Sequence, residues 1–174
     1  SWTVDGHKWL NTPYDGSIGI CRKAGALSEA MNSDAAYSSA SPDSQKNLGI
    51  EFSRRARGIA IWAALRSLGR RGVAEMLERN CRQARRLADM LEGAGATVLN
   101  RVVLNQVVFR LETDDATRAF TERAVDTGKI WFGPTVWQGR TACRLSVSNW
   151  QSTDETIEAA GELLAGVARS VREG

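Results

Sequence analysis

The spacing of apolar and polar positions changes character several times along the chain. Residues 1–5 alternate polar and apolar side chains and predict a short strand. Residues 17–21 (Ser-Ile-Gly-Ile-Cys) predict a second strand, entered through a turn at Asp15-Gly16. A short helix is expected over 25–31, and 32–48 turns polar and small, the composition of a long loop. Residues 51–68 are rich in Ala, Ile, Leu and Trp. They predict a helix whose apolar residues after Arg57 occupy most of its circumference, the pattern of burial on several sides. Gly69 and Gly72 interrupt it.

The next helix is more clearly one-sided. Val73, Met76, Leu77, Asn80, Ala84, Leu87, Ala88 and Leu91 follow the three-and-four spacing of one face, with arginines opposite, and Gly93 and Gly95 end it. Strands are expected at 97–99 and 102–111. A helix opens at Asp114-Asp115, runs to about Val125 and closes at Gly128. An extended piece over 129–132 leads into a Gly133-Pro134 turn, and 140–148 predicts a further strand. Ser152 with Glu155 reads as a capping box for a last helix. The apolar stripe of that helix is Ile157, Ala160, Gly161, Leu164, Val167, Ala168 and Val171. From about residue 73 onward the order of elements predicts an α+β unit, helices covering a small sheet.

Composition narrows the class. An apolar fraction of 43% and a charged fraction of 25% in 174 residues describe a folded globular chain. No run approaches a membrane span, and no charged-then-apolar leader opens the chain. The net charge of +3 is small, and its densest basic group, Arg79, Arg82, Arg85 and Arg86, falls on one helix face, so no nucleic-acid partner is expected. Cys21, Cys81 and Cys143 lie far apart with a single histidine as co-ligand, which argues against a metal site or a disulfide framework and for a reducing cytoplasm.

The chemistry-bearing stretch is Asp5-Gly-His7-Lys8-Trp9-Leu10-Asn11-Thr12-Pro13-Tyr14-Asp15-Gly16. It holds the lone histidine beside one of four lysines, bracketed by glycine and proline. Alone it describes a polar loop that keeps a lysine at a fixed address. The run resembles the cofactor-lysine segment of the group II pyridoxal-phosphate (PLP)-dependent amino acid decarboxylases, the family of the aromatic amino acid and glutamate decarboxylases. The resemblance continues at Ser53-Arg54-Arg55-Ala56-Arg57, at Trp62-Ala-Ala-Leu-Arg66-Ser-Leu-Gly69 and at Arg144-Leu-Ser-Val-Ser-Asn149, in family order.

That resemblance implies an α/β chain of the fold type I transferase architecture. Residues 1–50 would be the end of the large PLP domain with its lid, 51–72 a linking helix, and 73–174 the small C-terminal α+β domain. It implies a C-terminal portion of a carboxy-lyase that forms its internal aldimine with pyridoxal 5′-phosphate through Lys8. His7 would contact the cofactor phosphate, and Asp5 would orient the loop or reach the cofactor. A lysine serves this purpose when desolvation or nearby positive charge makes its neutral amine accessible.

Arg54 or Arg55 could hold a substrate carboxylate or a phosphate bidentately, and Arg144 is a weaker candidate for the same work. Trp131, Trp137 and Trp150 are read as packing residues. The complete enzyme would be a homodimer acting on a small-molecule substrate, an amino acid.

Two features depart from the family pattern. The chain opens at Ser1, a few residues before its most informative motif. The acid that pairs with the pyridine nitrogen, the ring stacked on the cofactor and the phosphate-binding turn would therefore lie in a missing N-terminal part or a second chain. The 174 residues alone are expected to be inactive. The family's lid often carries a tyrosine that protonates the carbanion; about ten residues before Arg54-Arg55 stands Gln45, and Tyr37 lies farther upstream. This leaves an aminotransferase or oxidative deaminase of the same fold as an alternative. A non-catalytic piece that associates with a partner chain is another.

Overall fold

The computed structural model describes residues 1–23, 25–31 and 44–173, and these fall into two compact units, Ser1–Gly69 and Arg70–Gly174. The predicted loop at 32–48 lies outside the described residues up to position 43, and so does Tyr37.

In the first unit, β1 (Trp2–Asp5) and β2 (Ser17–Ile20) pair antiparallel, with Asp5 opposite Ser17 and Trp2 opposite Ile20. Between them α1 (Gly6–Trp9) is a single helical turn where the sequence predicts only a loop. After α2 (Ala26–Met31) comes a 3₁₀ turn, Gln45–Leu48.

The helix expected over 51–68 begins only at Gly58. Residues 51–57 stay irregular because their arginines bond outward, Arg57 to Asp15 and Arg55 to the Tyr14 carbonyl, instead of lining a helix. The burial expected on several sides is also corrected. Ile61 is buried, whereas Ile59, Trp62, Leu65 and Leu68 are exposed. An apolar circumference predicts burial only where partners exist for each face, and the described residues of this unit cover only the Ile61 side.

The helix α3 (Gly58–Gly93) is broken at Gly69, which takes φ 62° and ψ 179°; Gly72, also expected to interrupt, stays helical. In the second unit the sheet order is β3-β4-β6-β5, all antiparallel. The strands are β3 (Thr97–Val98), β4 (Gln106–Arg110), β5 (Gly133–Trp137) and β6 (Arg140–Ser146). The expected strand over 102–111 is shortened at its start by two asparagines. Asn100 Oδ1 accepts from the Val108 amide, and Asn105 Nδ2 donates to the Val147 carbonyl, so the chain turns before it pairs.

Gly133-Pro134 is not a turn but the start of β5. Proline is tolerated there because β5 is an edge strand. The turn sits instead at Gln138-Gly139, both at positive φ, a two-residue hairpin connection.

One face of this sheet is covered by the Arg70–Gly93 part of α3, by α4 (Asp114–Asp126) and by α5 (Asp154–Glu173). Their apolar stripes meet Val107, Phe109, Leu111, Cys143 and Leu145 in one core. Phe109, Phe120 and Phe132 form its aromatic centre, the first two edge to face at 5.6 Å between centroids. The N-terminus of α4 is capped by Thr113, whose Oγ1 accepts from the Ala116 amide. The predicted capping box at the head of α5 is displaced by one residue. Thr153 and Thr156 exchange side-chain to backbone bonds at 3.0 and 3.3 Å.

Candidate functional site

The hairpin β1–β2 and the turn α1 fix the address of Lys8. The Gly6 amide donates to the Gly16 carbonyl at 2.9 Å and the Thr12 amide to the Gly6 carbonyl at 3.1 Å, which closes the loop at its base. Both glycines sit where the approach is close, Gly6 more so than Gly16. A Cβ on Gly6 would sit 2.6 Å from Thr12 Oγ1, and one on Gly16 would sit 3.1 Å from Ile61 Cδ1. Asn11, at positive φ, donates from Nδ2 to the Lys8 carbonyl, so the end of the turn is held by a side chain suited to that backbone.

Three predicted residues come together on this turn. Lys8 Nζ lies 2.6 Å from Asp5 Oδ2, and that contact holds the Asp5 carboxyl below its ordinary range. The Lys8 side chain is 65% exposed, so the desolvation expected of an imine-forming lysine is not supplied by these residues. The His7 ring stacks on Tyr14, with centroids 4.1 Å apart and planes 22° from parallel.

His7 Nδ1 and Thr12 Oγ1 are both buried without a hydrogen-bond partner. Unmet buried polar atoms are rare in folded proteins and ask for a partner. Both atoms belong to the loop that carries the accessible Lys8, and their donor and acceptor chemistry suits a polar group such as a phosphate.

Arg54 and Arg55 lie in the same unit but are occupied with backbone. Arg54 donates to the Glu51 carbonyl at 2.7 Å and to the Gln45 carbonyl, and Arg55 donates to the Tyr14 carbonyl. With Asp15, Ser17 and Arg57 they line an open groove of about 800 Å³ that neither His7 nor Lys8 lines. Arg57, the third basic residue of that run, bonds two acids, Asp15 at 2.6 Å and Glu51 at 2.7 Å. The pairing pushes the Arg57 guanidinium up and holds the Asp15 carboxyl down. Sequence reasoning passed over Arg57 and Tyr14; the Tyr14-Asp15 pair seven residues past His7-Lys8 was the available signal.

Arg144 is exposed on β6, in the second unit, on the sheet face opposite Cys143 and Leu145. Trp131 and Trp150, expected to pack, are 81% and 60% exposed, and Trp137 is at the margin of exposure on β5. Among the described residues no helix is long and apolar enough to cross a membrane, and no group of His, Cys, Asp and Glu could hold a metal.

The model of the pyridoxal-dependent decarboxylase conserved domain matches residues 1–112, and the chain belongs to that family. It is 24% identical to 3,4-dihydroxyphenylacetaldehyde synthase of Aedes aegypti, over 87% of this chain and 30% of the relative. It is also 24% identical to tryptophan decarboxylase 1 of Oryza sativa subsp. japonica, over 94% of this chain and 36% of the relative.

Among solved structures, Oryza sativa TDC with PLP and tryptamine superposes with a TM-score of 0.84 at 22% identity, covering 97% of this chain and 38% of that one. Catharanthus roseus tryptophan decarboxylase in complex with L-tryptophan gives 0.84 at 17% identity, with the same coverage. The fold is therefore the fold type I architecture of these decarboxylases. The chain spans 30–41% of the length of the curated relatives it matches.

Proposed function

We propose that the chain is the C-terminal portion of a PLP-dependent amino acid decarboxylase in which Lys8 holds the cofactor covalently. The observation that carries this reading is the His7-Lys8 turn inside the matched family domain, with an accessible lysine beside the unmet His7 Nδ1. When bound, pyridoxal 5′-phosphate supplies the electron sink for breaking a bond at the α carbon of an amino acid.

The work of the chain's own residues is to hold and orient. His7 donates to the cofactor phosphate, and Asp5 steers the Lys8 amine and takes up its charge while the cofactor is absent. Arg54 and Arg55 remain candidates for a substrate carboxylate, as does Arg144, though the carbonyl bonds of the first two favour a part in fastening the loop. The partners on this reading are an amino acid, the N-terminal part of the enzyme and a second copy in a cytoplasmic homodimer. Borohydride reduction of the full-length holoenzyme should bleach its near-visible band and leave the label on Lys8. A label on another lysine overturns the assignment.

A second reading is decarboxylation coupled to oxidative deamination, with molecular oxygen as the two-electron oxidant and an aldehyde, carbon dioxide, ammonia and hydrogen peroxide as products, favoured by Gln45 at the end of the lid segment and by the name of the Aedes aegypti relative. Product analysis separates the two, since both release carbon dioxide but one leaves an amine and the other an aldehyde with hydrogen peroxide. Loss of amine formation in Tyr37→Phe would assign the proton donor to the chain's other tyrosine.

A further inference from the structure

Arg57 is set apart from its neighbours by what it bonds. Arg54 and Arg55 donate to carbonyls, whereas Arg57 joins two carboxylates far apart in sequence, Glu51 on the segment entering α3 and Asp15 on the returning arm of the lysine loop. The residue before Asp15 is Tyr14. Its carbonyl takes the Arg55 bond and its ring lies parallel to the His7 imidazole. The arm is fixed further at Gly16, whose carbonyl accepts from the Gly6 amide and where an added Cβ would meet Ile61 and the Arg57 carbonyl.

Tyr14 is itself 73% exposed, so its ring is not held there by burial. What it contributes is a plane. A stacked ring restrains rotation of the imidazole and so decides where His7 Nδ1 points. Asp15 and Glu51 are partly exposed acids, and a single surface ion pair would fix little. Two such bonds on one planar guanidinium, one from the loop and one from the segment entering α3, fix a geometry that neither gives alone.

We propose that Arg57 and Tyr14 are positioning residues of the lysine loop: Arg57 ties Asp15 to Glu51, and the arm so held sets the Tyr14 ring against His7. This rests on the cofactor reading above, in which the His7 ring faces the phosphate. It assigns to the arginine run a task other than gripping substrate.

The test uses the full-length enzyme with Tyr14→Leu, Tyr14→Phe, Arg57→Ala and Arg57→Lys. Two quantities are read: PLP affinity by cofactor absorbance, and the rate at which diethyl pyrocarbonate modifies His7 in the apoprotein, mapped by mass spectrometry. Tyr14→Leu should weaken PLP by up to about tenfold, the scale of one aromatic pair. It should also speed His7 modification, while Tyr14→Phe, which keeps the ring, stays within about twofold of the parent on the same scale. Arg57→Ala should behave like Tyr14→Leu, and Arg57→Lys, which keeps the charge but not the fork, should fall between.

Parent-like PLP affinity and parent-like His7 reactivity in both Tyr14→Leu and Arg57→Ala overturn the proposal. Should Arg57→Ala not fold, Asp15→Asn, which weakens one of the two bonds, takes its place. A parent that binds no PLP overturns the functional reading instead; His7 reactivity in the apoprotein then still decides whether Arg57 and Tyr14 hold the ring.

Discussion

Between Ser1 and Gly69, Ile61 is the one buried apolar side chain among the described residues, and the loops are fastened by Arg54, Arg55 and Arg57 to carbonyls and carboxylates. Beyond Gly69 a continuous apolar core joins three helical stripes to one sheet face, and the charged pairs sit mostly at its margin. The unit with the better core carries none of the residues that resemble a cofactor site except Arg144. The unit with the candidate site shows almost no core among its described residues. A site that must leave polar atoms such as His7 Nδ1 unmet is poor material for a core, so the two tasks are divided along the chain.

The largest test of this division is Lys8→Ala in the full-length enzyme. On the proposed reading, in which Lys8 is the covalent group, turnover should fall by at least ~10³-fold. Stability should stay within about 1 kcal/mol of the parent, since the Asp5–Lys8 pair is exposed. Chemical denaturation alongside the activity assay checks both, and a large loss of stability would break the comparison.

Next is Phe109→Ala, which empties a fully buried position touching Phe120 and Phe132. It should cost about 3–5 kcal/mol by the same denaturation measurement, against the small loss for Lys8→Ala. Thr113→Ala removes the cap of α4 and should cost about 1 kcal/mol.

The smallest effect concerns acid. Asp114 accepts from the Thr141 amide and hydroxyl and from Arg110, and these hold its carboxyl below the ordinary range, the Thr141 amide first among them. A lowered folded value means that the stabilisation is complete above 3.8, the ordinary value, and is lost as pH falls through the folded one. Unfolding midpoints measured down the acid limb should therefore drop for the parent and drop less steeply for Asp114→Asn.

Much of this was legible in the residues. The stripes from Met76 to Leu91 and from Ile157 to Ala168 are buried or, at Leu77, Ala160 and Val167, half-buried, because a helix face carries its own period. His7, Lys8 and Asp5 were visible as a cluster because they are neighbours in sequence.

What escaped was set by partners distant in sequence or by unfamiliar turn chemistry. Residues 51–57 have helical composition but answer to Asp15 and Tyr14, some forty positions away. The hairpin β5–β6 turns on Gln138-Gly139, a pair without the Asn-Gly or Asp-Gly signal, so Gly133-Pro134 drew the turn instead. The cap at Thr153-Thr156 is built from two threonines, outside the usual Ser/Thr with Glu pattern, and the nearer match at Ser152 and Glu155 stood one residue early.

Gly69 has a further meaning. A Cβ there would meet nothing within 4 Å, so only its dihedral angles, not crowding, reserve the position for glycine. It marks a seam in the chain, a single residue between a piece from Arg70 onward with a continuous apolar core and a piece whose described loops are fastened by arginines. A change at this residue would tax the stitch while leaving the fabric on either side intact.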